Sequence, residues 1–210
     1  MSEVLLRNAF LHYINFSIIF LYLEMDSDKG GCCPPGSEPF LAATYKPKGE
    51  VIKLDDLECY VYGKGDKAVI CSYDIYGFDA GRTRLMVDQI ADAGYLAILP
   101  DYYRGVKWGA DDPIGPDTFK WILDFTWEKV WKDITDKVLP YLAEKGATKI
   151  GLTGTCWGAW VVLKACTTDK FACGVSWHPS FHCEKLFGGN EEEVAEKVKA
   201  PQIIMPAGGD

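Results

Sequence analysis

The chain has 210 residues, of which 48% are hydrophobic and 25% are charged. This composition is that of one folded globular domain and excludes a disordered chain. The 22 Lys and Arg residues stand against 30 Asp and Glu residues, so the formal net charge is −8. An acidic surface repels phosphate groups, and no basic stripe runs along the sequence. We therefore predict that the chain does not bind nucleic acid.

Eight cysteines are scattered along the chain without a C-x-x-C pair. The three histidines are His12, His178 and His182. These patterns fit neither a disulfide framework nor a structural zinc site, so we predict no metal and no cofactor. Scattered cysteines are typical of a reducing compartment, which favours a cytoplasmic location. We expect Cys71, Cys166 and Cys173 to react slowly, because they lie in apolar stretches.

Residues 1–40 are predicted to be a lead, first apolar and then rich in Gly and Pro, ahead of a folded domain at 41–210. Residues 9–23 are mostly apolar and follow Arg7, as in a signal peptide, yet no small-residue cleavage site comes after them. The run is also short for a transmembrane helix, which needs about 20 residues. Three interpretations stay open: an artefactual or disordered extension ahead of a start at Met25, a signal or anchor segment at 1–24, and a helix packed on the domain. We expect no stable membrane association.

Apolar runs and helical spacing alternate along the rest of the chain. Short apolar runs predict strands, and apolar residues three and four apart predict helices. This alternation is typical of parallel strands joined by crossover helices, so we predict an α/β fold. In chain order the predicted strands are 58–62, 68–73, 95–99, 149–153, 175–177 and 202–205, and the predicted helices are 84–93, 119–125, 131–145, 157–166 and 191–199.

The segment with the clearest chemistry is Gly154-Thr155-Cys156-Trp157-Gly158, between a predicted strand and a predicted helix. It has the nucleophile-elbow pattern, with Cys156 where serine is usual. The two glycines would let a strained turn approach its neighbours, and the start of the following helix would favour the thiolate of Cys156. The alternative is a core cysteine in an ordinary strand-to-helix turn.

The elbow and four other regions, taken in chain order, resemble motifs of the dienelactone hydrolase family, in its eukaryotic branch. The resemblance runs from about Cys32 to Asp210. It implies an α/β-hydrolase fold, with a mostly parallel central sheet and helices on both faces, that lacks the last strand and helix of the family. The other regions are Asp74–Phe78, Asp88–Tyr95 with Pro100–Gly105, His178–Phe181 and Pro206–Asp210.

This resemblance implies a hydrolase of small carboxylic esters or lactones that forms an acyl-enzyme on Cys156. The backbone N–H groups of Ile75 and Trp157 would hold the oxyanion of the tetrahedral intermediate. Asp210 would orient the catalytic histidine. In the family that histidine follows the acid by a few tens of residues, which is past Asp210, so the chain resembles a hydrolase fragment.

Three residues near the predicted site have open roles. Asp74 stands where bacterial members of the family carry a glutamate near the resting thiol, and its side chain is one methylene shorter. Arg104 is expected to anchor a loop through carboxylates or carbonyls in preference to binding substrate. His178 would lie near the elbow and could replace the base, although a structural histidine is the preferred interpretation.

The tryptophans Trp108, Trp157 and Trp177 indicate an apolar, aromatic lining for the substrate site. The alternative function is that of a truncated, non-catalytic protein that binds ligands or partners without turnover. Turnover of an ester that depends on Cys156 would distinguish the two.

Overall fold

The computed structural model describes residues 45–109 and 111–207, so the predicted lead at 1–40 and Asp210 lie outside the described residues. The strands are β1 (Glu50–Leu54), β2 (Leu57–Tyr62), β3 (Lys67–Ser72), β4 (Leu96–Pro100), β5 (Lys149–Cys156), β6 (Cys173–Pro179) and β7 (Gln202–Met205). The helices are α1 (Thr83–Asp92), α2 (Pro116–Ile122), α3 (Trp127–Asp133), α4 (Leu139–Glu144), α5 (Trp157–Ala165), α6 (Cys183–Leu186) and α7 (Glu191–Glu196), with a π-helical segment (Ile134–Val138) between α3 and α4.

The strands form one sheet in the order β1-β2-β4-β3-β5-β6-β7. Strands β4, β3, β5, β6 and β7 run parallel, whereas β2 is antiparallel to both of its neighbours. The prediction of an α/β fold with a mostly parallel sheet is therefore confirmed. The sequence pattern does not predict β1, because three of its five residues are exposed and it has no buried apolar run.

The helices before β5 begin earlier than their pattern predicts. The predicted helix at 119–125 is α2 at 116–122, and the one at 131–145 belongs to a helical run over 127–144. Pro116 begins α2, where the fixed φ of proline suits the first turn. Pro140 lies in the first turn of α4, and the π-helical segment comes directly before it. A proline has no N–H and its ring crowds the preceding turn, which accounts for the change of helical pitch.

The centre of the sheet is covered on both faces. All five residues of β4 are buried, as are eight of the nine residues of α5. Continuous burial of this kind is why the strand appears in the sequence as an unbroken apolar run. The parallel strands bring their carboxyl ends to one edge, where open α/β sheets have their ligand crevice. Cys156 is the carboxyl end of β5.

Candidate active site

Cys156 lies on the turn between β5 and α5. Its backbone has φ 54° and ψ −117°, a combination that residues other than glycine rarely adopt. Such strain costs about 1–3 kcal/mol and persists only where the surrounding structure imposes it. The turn leaves the thiol half-buried at the carboxyl edge of the sheet. This is the backbone geometry that a nucleophile elbow requires.

The two glycines of the elbow occupy positions where no side chain fits. A Cβ at Gly154 would lie 2.1 Å from the carbonyl oxygen of Gly158 and 2.8 Å from the backbone nitrogen of Ala159. A Cβ at Gly158 would lie 2.5 Å from the carbonyl carbon and oxygen of Ser72. All of these are backbone atoms, so none can rotate aside. The start of α5 is therefore packed tightly against both β5 and the end of β3.

The loop after β3 passes beside the elbow, because Ser72 pairs with Gly154 across the sheet. Ile75 is buried in this loop, and its carbonyl accepts a hydrogen bond from the N–H of Trp108 at 3.0 Å. The backbones of Ile75 and Trp157 thus lie at the same edge of the sheet. Their role as oxyanion donors stays a prediction.

Asp74 precedes Ile75 and is half-buried. Burial raises the pKa of its carboxyl above the ordinary value. The hydrogen bond that the N–H of Tyr76 donates to Oδ1, at 2.8 Å, opposes this rise, and so does the imidazole of His178. Asp74 and His178 therefore interact at the edge that carries the thiol. The part that Asp74 plays there stays a prediction.

The end of β6 departs from regular pairing beside the nucleophile. Thr155 pairs with Trp177, but Cys156 pairs with Pro179, so His178 is an extra residue on β6. This is a β-bulge, which bends the strand and redirects the side chains that follow. His178 has φ 46°, an uncommon value for a residue other than glycine. The residue that the bulge redirects is Ser180.

Ser180 is the site residue that sequence reasoning misses. Its Oγ lies 3.3 Å from the Sγ of Cys156, and its backbone N–H donates to the carbonyl of Cys156 at 3.2 Å. Only 6% of the residue is exposed. The motif at 178–181 includes Ser180, but its place beside the sulfur depends on the bulge, which no spacing in the sequence indicates.

Arg104 binds acceptors on three segments of the chain. Its guanidinium contacts Asp56 at 3.1 Å, Asp133 at 2.8 Å and the carbonyl of Asp101 at 3.1 Å. Lys137 pairs with the same two carboxylates, Asp56 and Asp133, so two cations and two anions form one network. We call these four side chains the Arg104 network. Its contacts are those of a loop anchor.

One of the three tryptophans expected to line the substrate site does not do so. The expectation that Trp157 lines this site is wrong, because its side chain is fully buried. It opens α5 and points into the core, where its ring centroid lies 4.8 Å from that of Tyr103. Trp177 is 44% exposed, and its indole N–H donates to Thr153 at 3.1 Å.

The other described cysteines differ in burial. Burial raises the pKa of Cys59, Cys71 and Cys183 to about 12 and that of Cys166 to about 11. These thiols are protonated and inaccessible near neutral pH. Cys173 is exposed, so the expectation that its apolar stretch shields it is wrong. It is the first residue of β6, where the strand emerges at the opposite edge of the sheet.

A cleft of about 790 Å³ lies at the amino edge of the sheet, away from Cys156, with walls that include Val61, Gly94, Leu96 and Lys145. It is not part of the candidate site. Across residues 45–109 and 111–207, no group of three or more His, Cys, Asp and Glu side chains could hold a metal ion. Within the same described part of the chain, no helix has the length and apolar character needed to cross a membrane.

Proteins with similar sequences include one from rat and one from Talaromyces stipitatus. A rat protein named carboxymethylenebutenolidase homolog is 37% identical over 140 residues, which cover 63% of this chain and 56% of the relative. A hydrolase of Talaromyces stipitatus, tropI, is 26% identical over 173 residues, which cover 77% of this chain and 68% of the relative. This chain thus spans about half the length of the vertebrate relatives that it matches.

The fold has a counterpart among solved structures. A candidate dienelactone hydrolase from Klebsiella pneumoniae superposes with a TM-score of 0.53 at 18% identity, over 71% of this chain and 80% of that one. The likeness confirms the α/β-hydrolase fold. Residues 57–210, well over half of the sequence, match the dienelactone hydrolase family. Together with the elbow geometry, this match shows that the chain belongs to the dienelactone hydrolase family.

Proposed function

We propose that this chain is a hydrolase of small carboxylic esters or lactones that uses Cys156 as its nucleophile. Membership of the family and relatives named as hydrolases support the hydrolase role. The strained backbone of Cys156, held between two glycines that leave no room for a side chain, carries the assignment of the nucleophile. The substrate is a small molecule and the location is the cytoplasm.

The thiol of Cys156 is placed to ionise more readily than its buried counterparts. It is half-buried, and it precedes the first residue of the nine-residue helix α5. The partial positive charge at a helix N-terminus favours a thiolate over a thiol. The thiolate is the nucleophilic form, so this position supports attack on an ester carbonyl.

The proposed reaction has two stages. The thiolate sulfur attacks the carbonyl carbon, and the carbonyl π electrons move to oxygen. When the electron pair on the oxyanion re-forms the carbonyl, the carbon–oxygen single bond to the alcohol breaks. The alcohol takes a proton from the imidazolium of the catalytic histidine as it departs, and the acyl group remains on Cys156 as a thioester. A water molecule, giving its proton to the imidazole, then attacks the thioester and expels the thiolate with release of the acid. In a lactone the leaving alcohol stays joined to the acyl group.

The oxyanion of each tetrahedral intermediate is assigned to the backbone N–H groups of Ile75 and Trp157. Ile75 lies in the loop after β3 and Trp157 begins α5, both at the carboxyl edge of the sheet, so the two backbones are in place before the reaction begins. Asp210, which lies outside the described residues, is assigned to orient the catalytic imidazole, as the family resemblance implies.

Alkylation tests the nucleophile. Limiting iodoacetamide followed by peptide mapping should label Cys156 faster than Cys71, Cys166 or Cys183, since the latter three are buried and have raised pKa values. Cys173 is exposed and provides the comparison for an ordinary surface thiol. If Cys156 reacts no faster than Cys166, it is not the nucleophile.

Ester turnover tests the activity. Hydrolysis of a p-nitrophenyl ester should disappear in Cys156→Ala and persist in Cys173→Ala, which removes an exposed thiol at the opposite edge of the sheet. Turnover that survives Cys156→Ala would contradict the mechanism. A folded protein with a reactive Cys156 that binds esters and hydrolyses none would instead support the alternative of a non-catalytic binding protein.

A further inference from the structure

We propose that Ser180 is a positioning residue for Cys156, whose hydroxyl holds the sulfur in place and stabilises the thiolate by a hydrogen bond. The inference rests on the proposed function, since it concerns the same thiol. Under this proposal, two parts of the fold stabilise the thiolate: the start of α5 and the residue that follows β6.

The backbone ties Ser180 to the nucleophile from the far side of the bulge. The N–H of Ser180 donates to the carbonyl of Cys156 at 3.2 Å, and the N–H of Cys183 donates to the carbonyl of Ser180 at 3.0 Å. Both the backbone N–H and the backbone carbonyl of Ser180 are therefore hydrogen-bonded. Its side chain has little freedom to leave the sulfur, and its Oγ stands 3.3 Å away.

The chemistry of the two groups sets the direction of the effect. A thiol and a hydroxyl can each donate to the other, but a thiolate has no proton, so in the ionised state the hydroxyl of Ser180 must be the donor. Hydrogen bonds to ionised groups are stronger than those between neutral groups. A donor that favours the charged form lowers the pKa of an acid. Ser180 is 6% exposed, so few water molecules can replace it in this role.

The hydroxyl also fixes where the sulfur points. Cys156 sits on a strained turn whose backbone is already fixed, so its remaining freedom is rotation about the Cα–Cβ bond. A hydrogen bond from the end of β6 selects one of the staggered rotamers. A nucleophile held in one rotamer loses less entropy when the substrate carbonyl arrives.

The test is the pKa of Cys156 in variants of Ser180. In the full chain, the rate of alkylation of Cys156 by iodoacetamide is measured by peptide mapping across the pH range in which thiols ionise. Ser180→Ala should raise the apparent pKa by about one unit, so that the rate at neutral pH falls about tenfold while the rate at high pH is unchanged. A purely structural role would change the rate at every pH and leave the pKa where it was.

Ser176→Ala is the matched control. Ser176 is likewise a buried serine, lies within β6, pairs with Gly154 of the elbow, and makes no side-chain hydrogen bond to any described residue. This variant should leave the pKa of Cys156 unchanged. An equal shift in Ser176→Ala and Ser180→Ala would overturn the proposal, as would an unchanged pKa in Ser180→Ala.

A second pair of variants isolates the hydroxyl from the volume of the side chain. Ser180→Thr keeps the donor and should keep the pKa near that of the parent, whereas Ser180→Val has the same shape without the donor and should raise it. Equal pKa values in these two variants would contradict the proposal even if Ser180→Ala did not fold. The measurement needs no ester turnover, so its failure is distinct from a failure of the proposed activity.

Discussion

Replacing Gly154 with alanine should destabilise the protein and disturb the nucleophile. The new Cβ would lie 2.1 Å from the carbonyl oxygen of Gly158, 2.4 Å from its carbonyl carbon and 2.8 Å from the nitrogen of Ala159. Overpacking of this kind costs about 1–3 kcal/mol, and occasionally more, where the neighbours cannot move. Alanine also lowers the conformational entropy of the unfolded chain, which stabilises the folded state by about 0.4–1 kcal/mol and offsets part of this cost. Because three backbone contacts are violated, we expect a cost near the top of that range and a net loss of about 2 kcal/mol or more.

The control for this variant is Gly151→Ala on the same strand. A Cβ there would lie 3.2 Å from the Sγ of Cys173, an exposed side chain that can rotate away, so we expect a change within about 0.5 kcal/mol. Urea unfolding and thermal melts should place the melting temperature of Gly154→Ala about 5–10 °C below that of Gly151→Ala. Alkylation of Cys156 should slow in the first variant alone. Equal melting temperatures for the two variants would refute the steric argument for the elbow.

Asp74→Asn should raise the free energy of unfolding at neutral pH, because burial raises the folded-state pKa of Asp74 and its ionised form therefore opposes folding. This gain in stability should fade as the pH falls through the raised pKa, because Asp74 then becomes neutral in the folded protein. The amide oxygen of the variant can still accept the hydrogen bond from the N–H of Tyr76. A gain in stability that stays constant with pH in urea titrations would contradict this reasoning. Arg104→Gln should lower the free energy of unfolding, because it removes a cationic partner from the buried carboxylate of Asp133. The guanidinium of Arg104 is partly exposed and its interactions are therefore screened by water, so we expect a loss of only about 1–2 kcal/mol. Arg104→Lys should recover part of the loss, and a variant that loses ester turnover at unchanged stability would indicate a substrate contact instead.

The parts of the fold that the sequence predicts are those encoded by burial. Strands β3 and β4 have apolar runs because both faces of the central sheet are covered, and β7 is found at the predicted residues. The elbow is predicted because backbone atoms leave no room for a side chain at Gly154 and Gly158, and these two glycines have a fixed spacing in the sequence. Strand β1 is not predicted, because it is a largely exposed edge strand.

The parts that the sequence does not predict depend on register. The solvent exposure of Cys173 depends on which residue begins β6, and an apolar stretch of sequence does not predict that residue. The contact of Ser180 with Cys156 exists because one extra residue, His178, is inserted opposite the end of β5. A change of pairing by one residue alters the position of every side chain that follows. Such contacts become visible only when two strands are aligned in space.

The Arg104 network joins parts of the chain that are far apart in sequence, and this affects the rate at which the protein unfolds. Its bonds from Arg104 and Lys137 to Asp56 span 48 and 81 residues. Contacts across such distances form only after the intervening segments have been ordered, because the entropy of closing the loop must be met first. We expect the network to be absent from the folding transition state. Interactions that form only after the transition state leave the folding rate nearly unchanged and slow unfolding. The Arg104 network should therefore lengthen the lifetime of the folded protein.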